Sequence, residues 1–201
     1  MKSRLAATAA VALLAAGPAI AQGGKESPSA SSGDAKFIEH VARDGQAEVD
    51  LGRLGEQKAQ ATEMKALARR LVADHTKSNQ QLMKIAQQEG VQPAGQPSKP
   101  ESNQRSKLEK LNGQAFDHTF VKEIVQDHQK DIKYFQKEQN SLKDPQLKSF
   151  AQQTLPVLQQ HLQMAQETAQ ATTSGSGSSA NSHSSIDSTA TPAARTTTPA
   201  R

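Results

Sequence analysis

Between residues 35 and 171 the apolar positions fall at steps of three and four rather than in alternation, the period of a helix that buries one stripe. Four such stripes can be read. The first is Ile38, Val41, Gly45, Glu48, Gly52, Gly55 and Ala59, a heptad seam on a helix from about Ala35 to Ala59. The second runs Met64, Ala68, Leu71, His75, Ser78, Leu82, Ile85. The third includes Phe116, Phe120, Ile124, His128, Ile132 and Phe135, on a helix from about Gln114 to Ser141. The fourth runs Leu147, Ala151, Thr154, Leu158, His161, Ala165, Thr168.

Local signals mark the ends of these helices. Thr62 can cap the second, with Glu63 in the first turn, where the helix dipole favours an acid. Gly90 and Pro93 end it. Residues 91–101, with Pro93, Gly95, Pro97 and Pro100, read as loop. Ser106-x-x-Glu109 offers a capping box for a short helical turn through Leu108 and Leu111, which Asn112-Gly113 breaks. Asp144-Pro145 sets a capping acid before a proline at the first helical position. The expected fold is all-α: a four-helix bundle with short turns between helices 1 and 2 and between 3 and 4, and a long crossover between 2 and 3. Two features oppose it. Gly45, Gly52 and Gly55 each cost roughly 0.8–1 kcal/mol relative to Ala inside a helix, and Pro156 costs about 3 kcal/mol. The glycines share a seam with Glu48, so they either admit a close partner helix or leave room beside that carboxylate.

Composition changes the picture at the two ends. Lys2 and Arg4, the apolar run Leu5 to Ala16, the Gly17-Pro18 break and Ala19-Ile20-Ala21 form a secretory signal peptide over residues 1–21. The protein is expected to be exported, to a bacterial periplasm first of all, or to the outer membrane or the medium. Residues 22–34 read as a Gly/Ser-rich flexible linker. Residues 172–201 form a Ser/Thr/Ala/Pro-rich tail with too little apolar surface to offset chain entropy. One domain, residues 35–171, remains. The chain carries 24 basic and 20 acidic residues, net +4, and +2 without Lys2 and Arg4. The signs are mixed along the helices and no basic block carries interleaved aromatics, so nucleic acid is not an expected partner. No other apolar run could span a bilayer. With no cysteine, disulfides and thiolate ligands are excluded. Nothing in the sequence names a protein partner.

The candidate chemistry lies where the stripes turn polar. Each carries one ionisable residue near mid-helix: Glu48, His75, His128 and His161. Measured from the turns near Gln60 and Lys143, their offsets agree to within about one helical turn at 1.5 Å per residue, so the four can meet in one layer. A buried carboxylate and three imidazoles are costly unless paired or metallated. Imidazole is a good ligand for zinc, copper, iron and nickel, a carboxylate neutralises part of the charge, and three His with one Glu complete a tetrahedral site or leave an open position at higher coordination. The alternative is a self-satisfied polar cluster in which Glu48 pairs with a protonated His. Asp131, one turn after His128 on the same face, is an extra candidate ligand. Asp74 and Asp127 precede their histidines in a twice-written Val-x-Asp-His-x-Lys and lie about 100° round the helix. They read as solvated, or as acceptors for a ligand's second N–H. Glu63, Asp117 and Glu123 read as surface or cap residues, His40 and His118 as flanking, Tyr134 as partly buried.

The segments "FIEHVARDGQAEVDLGRLGEQKA", "LARRLVADHTKSNQQLMKIA", "LEKLNGQAFDHTFVKEIVQDHQKDIKYF" and "LKSFAQQTLPVLQQHLQMA" resemble the exported bacterial DUF4142 family over about residues 36–170. The resemblance rests on Phe37, Gly45, Glu48, Gly52, Asp74-His75, Gly113, Phe116-Asp117, Asp127-His128 and Leu155-Pro156 with His161 taken as a set. It implies a ferritin-like four-helix bundle, in a family whose members are often labelled outer-membrane proteins. Ferritin-like di-iron sites use Glu-x-x-His on two helices. Here the residues three before the histidines are Val72, Val125 and Leu158, so a single ion, or none, fits better.

Three functions follow from these residues. The first is an exported metal-binding bundle for buffering or envelope stress, holding one zinc, iron, copper or manganese ion. The second is a metal-free envelope interaction or stress module. The third, less favoured, is a mononuclear metal oxidase or peroxide-handling enzyme. No nucleophile motif, phosphate loop or nucleotide fingerprint points to another enzyme class.

Overall fold

A computed structural model describes residues 30–175, which form five helices: α1 (Ser32–Lys58), α2 (Thr62–Gln88), α3 (Lys99–Glu109), α4 (Gly113–Glu138) and α5 (Pro145–Gly175). There is no strand among the described residues. The signal peptide expected at 1–21, most of the 22–34 linker and most of the 172–201 tail lie outside them. The four long helices make the bundle. α1 packs along α2 and α4 along α5, and the α2–α5 and α1–α4 contacts close the square. None of the described helices is long and apolar enough to cross a membrane.

Two boundaries differ from the sequence reading because of long-range caps. α1 starts at Ser32, inside the stretch read as linker, and Ser31 caps it by accepting from the Asp34 amide at 3.1 Å. Asp34 is buried, and its carboxylate accepts from the Lys143 and Asp144 amides at 2.9 and 3.2 Å in the α4–α5 turn. Asp117 does the same at the opposite end. It is buried, and it accepts from the Gln60 and Ala61 amides at 3.1 Å each. α2 therefore needs no cap of its own: Thr62 is its first helical residue, not its cap. Each hairpin's turn is thus tied down by an acid from the first helix of the other hairpin.

The crossover holds a further helix, α3. Its capping box is Ser98 with Glu101, not Ser106 with Glu109. Pro100 lies in the first turn, where a missing N–H costs nothing. One proline that read as loop therefore helps start a helix, while Pro93 and Pro97 stay outside it. At the far end of the bundle, Asp144 caps α5 as expected, accepting from the Leu147 amide at 2.8 Å. Pro156 lies on the exposed side of α5, so the Gln152 carbonyl it deprives of a hydrogen bond faces water.

The seam glycines serve close packing. A Cβ at Gly52 would sit 2.7 Å from Val72 Cγ2 and 3.1 Å from the Ala68 carbonyl oxygen, so α1 rides against the backbone of α2 there. The core splits into two apolar clusters. One contains Phe37, Ile38, Leu82, Phe135, Leu147 and Leu158, the other Leu51, Leu71, Phe116, Phe120, Ile124 and Ala165. On every bundle helix one ionisable residue separates the two: Glu48, His75, His128 and His161.

Candidate metal centre

All four layer residues are buried, and His128 and His161 have no exposed surface. One ring nitrogen from each of His75, His128 and His161 lies within 4.8 Å of the others. His128 Nε2 and His161 Nδ1 are 3.1 Å apart. The opposite nitrogen of each ring already has an acceptor. His128 Nδ1 faces the Ile124 carbonyl at 3.1 Å, and His161 Nε2 faces Asp74 Oδ2 at 3.0 Å. A neutral imidazole carries one N–H. With both protons on those outer nitrogens, two bare lone pairs point at each other, a contact that a cation between them relieves; the other tautomer of either ring relieves it too, through an N–H···N bond that gives up one outer bond. Two nitrogens bound to one tetrahedral ion at about 2.0–2.1 Å lie about 3.3 Å apart, close to the observed separation.

Glu48 stands beside this centre rather than between the rings. Its Oε2 is in close contact with His75 Nε2, and its Oε1 is 3.3 Å from His128 Nδ1, on the side of that ring turned away from His161. The charges pair well, but neither contact has hydrogen-bond geometry. Both Glu48 oxygens and His75 Nε2 are buried polar atoms without a hydrogen bond, a state that costs about 1–3 kcal/mol per group when nothing else compensates. Burial opposes ionisation of Glu48, but His128 and His75 hold its pKa down at about 2. Burial likewise opposes charge on His75, and Glu48 outweighs it, so the His75 pKa is raised. His128 is lowered chiefly by burial, and burial followed by the charge of His75 brings His161 down to about 4. The layer thus favours charge on Glu48 and His75 and keeps His128 and His161 neutral, with nitrogen lone pairs to offer.

The other candidates separate. Asp74 is the acceptor for His161 and is held from outside by Arg70. Asp127 meets no histidine and binds Gln104 and Lys130 instead. Asp131 is partly buried and does not join the three rings. Burial, then the charges of Glu48 and Asp44, pushes its carboxyl well above the usual range. His40 packs against Tyr134 with the rings tilted and their centroids 4.0 Å apart, and His118 is exposed. A cleft of about 740 Å³ opens between α1, α3 and α4, lined among others by Asp44, Glu48, Asp131 and Tyr134. A narrow extension of about 20 Å³ shares these four residues and reaches His75. The seam glycines were the sequence's one hint of room beside Glu48, and Gly45 lines the extension, but the cleft's roof, α3, gave no sign of it.

The fold has solved counterparts. A DUF305 fragment from Deinococcus radiodurans superposes with a TM-score of 0.65 at 15% identity, covering 72% of this chain and 99% of that one. CopM in the apo form gives 0.58 at 18% identity, covering 68% and 96%. CopM in the Cu(II)-bound form gives 0.60 at 17% identity, covering 68% and 95%. At these identities the likeness is one of fold. No curated protein matches the sequence. Residues 19–168 match DUF4142, a domain of unknown function, and the chain belongs to that family.

Proposed function

We propose that this protein is an exported bundle that binds one transition-metal ion at His75, His128 and His161, with Glu48 as the compensating carboxylate, and that it buffers the metal in the cell envelope. The observation that carries this reading is the arrangement of His128 and His161. Their inner nitrogens converge at 3.1 Å while their outer nitrogens face the Ile124 carbonyl and Asp74 as acceptors. Ligating histidines are held in this way, by a carbonyl or carboxylate that fixes the tautomer. Imidazole nitrogens, with His75 giving up its proton to the ion, favour copper(II) or zinc over magnesium or calcium. CopM, a fold neighbour solved with Cu(II), makes copper the first metal to test. The burial of His128 and His161 favours holding an ion over turning over a substrate.

The test is elemental analysis of the mature protein, purified from the periplasm without a histidine tag, beside a His75→Ala/His161→Ala variant checked for helix content. About one metal per chain in the wild type and none in the variant is expected. Absence of metal from both, after incubation with zinc, copper, iron and manganese, overturns the reading and leaves the layer as a polar core cluster.

A further inference from the structure

The three histidines are buried, so an ion must reach them through the protein. The α1–α3–α4 cleft and its narrow extension share Asp44, Glu48, Asp131 and Tyr134, and the extension alone reaches His75. Most acids of the cleft are already paired. Asp44 binds Arg43 and His40, Glu101 binds the Ser98 amide, Glu123 binds Lys107, and Asp127 binds Lys130 and Gln104. Two differ. Asp131 has neither a hydrogen bond nor an ion pair among the described residues. Glu48, 4% exposed at the floor of the cleft, is ion-paired inward with His75 but has no hydrogen bond to either oxygen.

We propose that this cleft is the uptake route of the buried metal ion, and that Asp131 and Glu48 form a transient divalent-cation position with oxygen ligands, one step outside the histidines. The inference rests on the reading of the histidine layer as a metal site. Carboxylate oxygens attract and desolvate a divalent cation, whereas imidazoles retain a transition metal more tightly, so the ion moves inward down a gradient of ligand preference. Glu48 touches both compartments: it lines the cleft and contacts His75 and His128. The crowding of Asp131 by Glu48 and Asp44 fits a pocket of negative charge that a cation relieves. The roof can yield, because α3 buries one residue, Leu108, and otherwise holds on through polar contacts such as Gln104 with Asp127 and Lys107 with Glu123.

Tyr134 is the only tyrosine in a chain without tryptophan, and it lines the cleft, so its fluorescence reports copper(II) there. The experiment is stopped-flow uptake of copper(II) by the full mature protein, followed by chelator-driven release, for wild type, Asp131→Asn and the exposed-surface control Glu56→Gln. Asp131→Asn is expected to slow uptake and release alike by about tenfold or more, with final stoichiometry and affinity unchanged. Glu56→Gln, which removes the same charge elsewhere, is expected to match wild type. Wild-type rates in Asp131→Asn, or equal slowing in Glu56→Gln, overturn the route while leaving the metal reading intact. Faster release with weaker affinity in Asp131→Asn also overturns it, since Asp131 would then be a resident ligand. A wild type that binds no copper takes both readings down together.

Discussion

Asp74 and Asp127 hold the same place in a Val-x-Asp-His-x-Lys written twice, yet only Asp74 reaches a histidine. Asp74 Oδ2 meets His161 Nε2 across the α2–α5 contact at 3.0 Å, whereas Asp127 turns outward to Gln104 of α3 and to Lys130. The helix each aspartate faces decides its role, not the motif it sits in. Loss of an acceptor behind a ligating histidine weakens metal binding about 10- to 100-fold. Asp74→Ala is therefore expected to weaken copper or zinc binding by that factor with stoichiometry kept, and Asp127→Ala to leave equilibrium affinity unchanged. Competition titration against a chelator of known strength measures both. Equal losses in the two variants would remove Asp74 from the site.

The layer also makes the metal-free protein sensitive to acid. The His161 pKa falls from 6.5 to about 4 on folding, so the folded chain binds fewer protons than the unfolded one across that window. Its contribution to stability is present above pH 6.5 and is lost as the pH drops through 4, on the order of 3 kcal/mol in all. Glu48, lowered from 4.5 to about 2, extends the loss to lower pH. His75 works in the opposite sense. Its raised pKa adds stability that is complete below 6.5 and fades as the pH rises through the folded value, so it does not offset the acid loss. Asp44, raised to about 7, and Asp131 act in the opposite sense over the same window, so the test is a comparison: urea unfolding with a chelator present should show wild type losing more stability between pH 6.5 and 4 than a His161→Gln variant. Equal pH dependence in the two proteins would contradict the burial of neutral His161.

The two long-range caps make a separable prediction. Asp34→Ala frees the Lys143 and Asp144 amides, and Asp117→Ala frees those of Gln60 and Ala61. Each variant should lose about 1–3 kcal/mol, because charge-assisted bonds to backbone amides are removed at a buried site. Hydrogen exchange should quicken in the affected turn and not in the other. Exchange unchanged at both turns would show that other contacts hold the hairpins together.

The sequence by itself determined the all-α bundle and the level at which its core turns polar. Helical period is a local property, repeated over more than twenty residues per helix, and tertiary contacts do not overrule a signal that long. Glu48, His75, His128 and His161 were legible because each interrupts an apolar stripe near mid-helix, and four helices packed side by side bring equal heights together. Some of α3 was legible too, but Ser98-x-x-Glu101 was masked by the prolines around it, one of which stabilises the helix start. Only the tertiary structure decided which nitrogen faces which partner. Asp34 and Asp117 find their amides more than fifty residues away. Glu48 stands behind His128 rather than between the rings, and Asp131 faces a cleft rather than the three histidines. These depend on helix rotation and side-chain torsion, where a change of one rotamer moves an oxygen by several ångströms while leaving the hydrophobic pattern untouched.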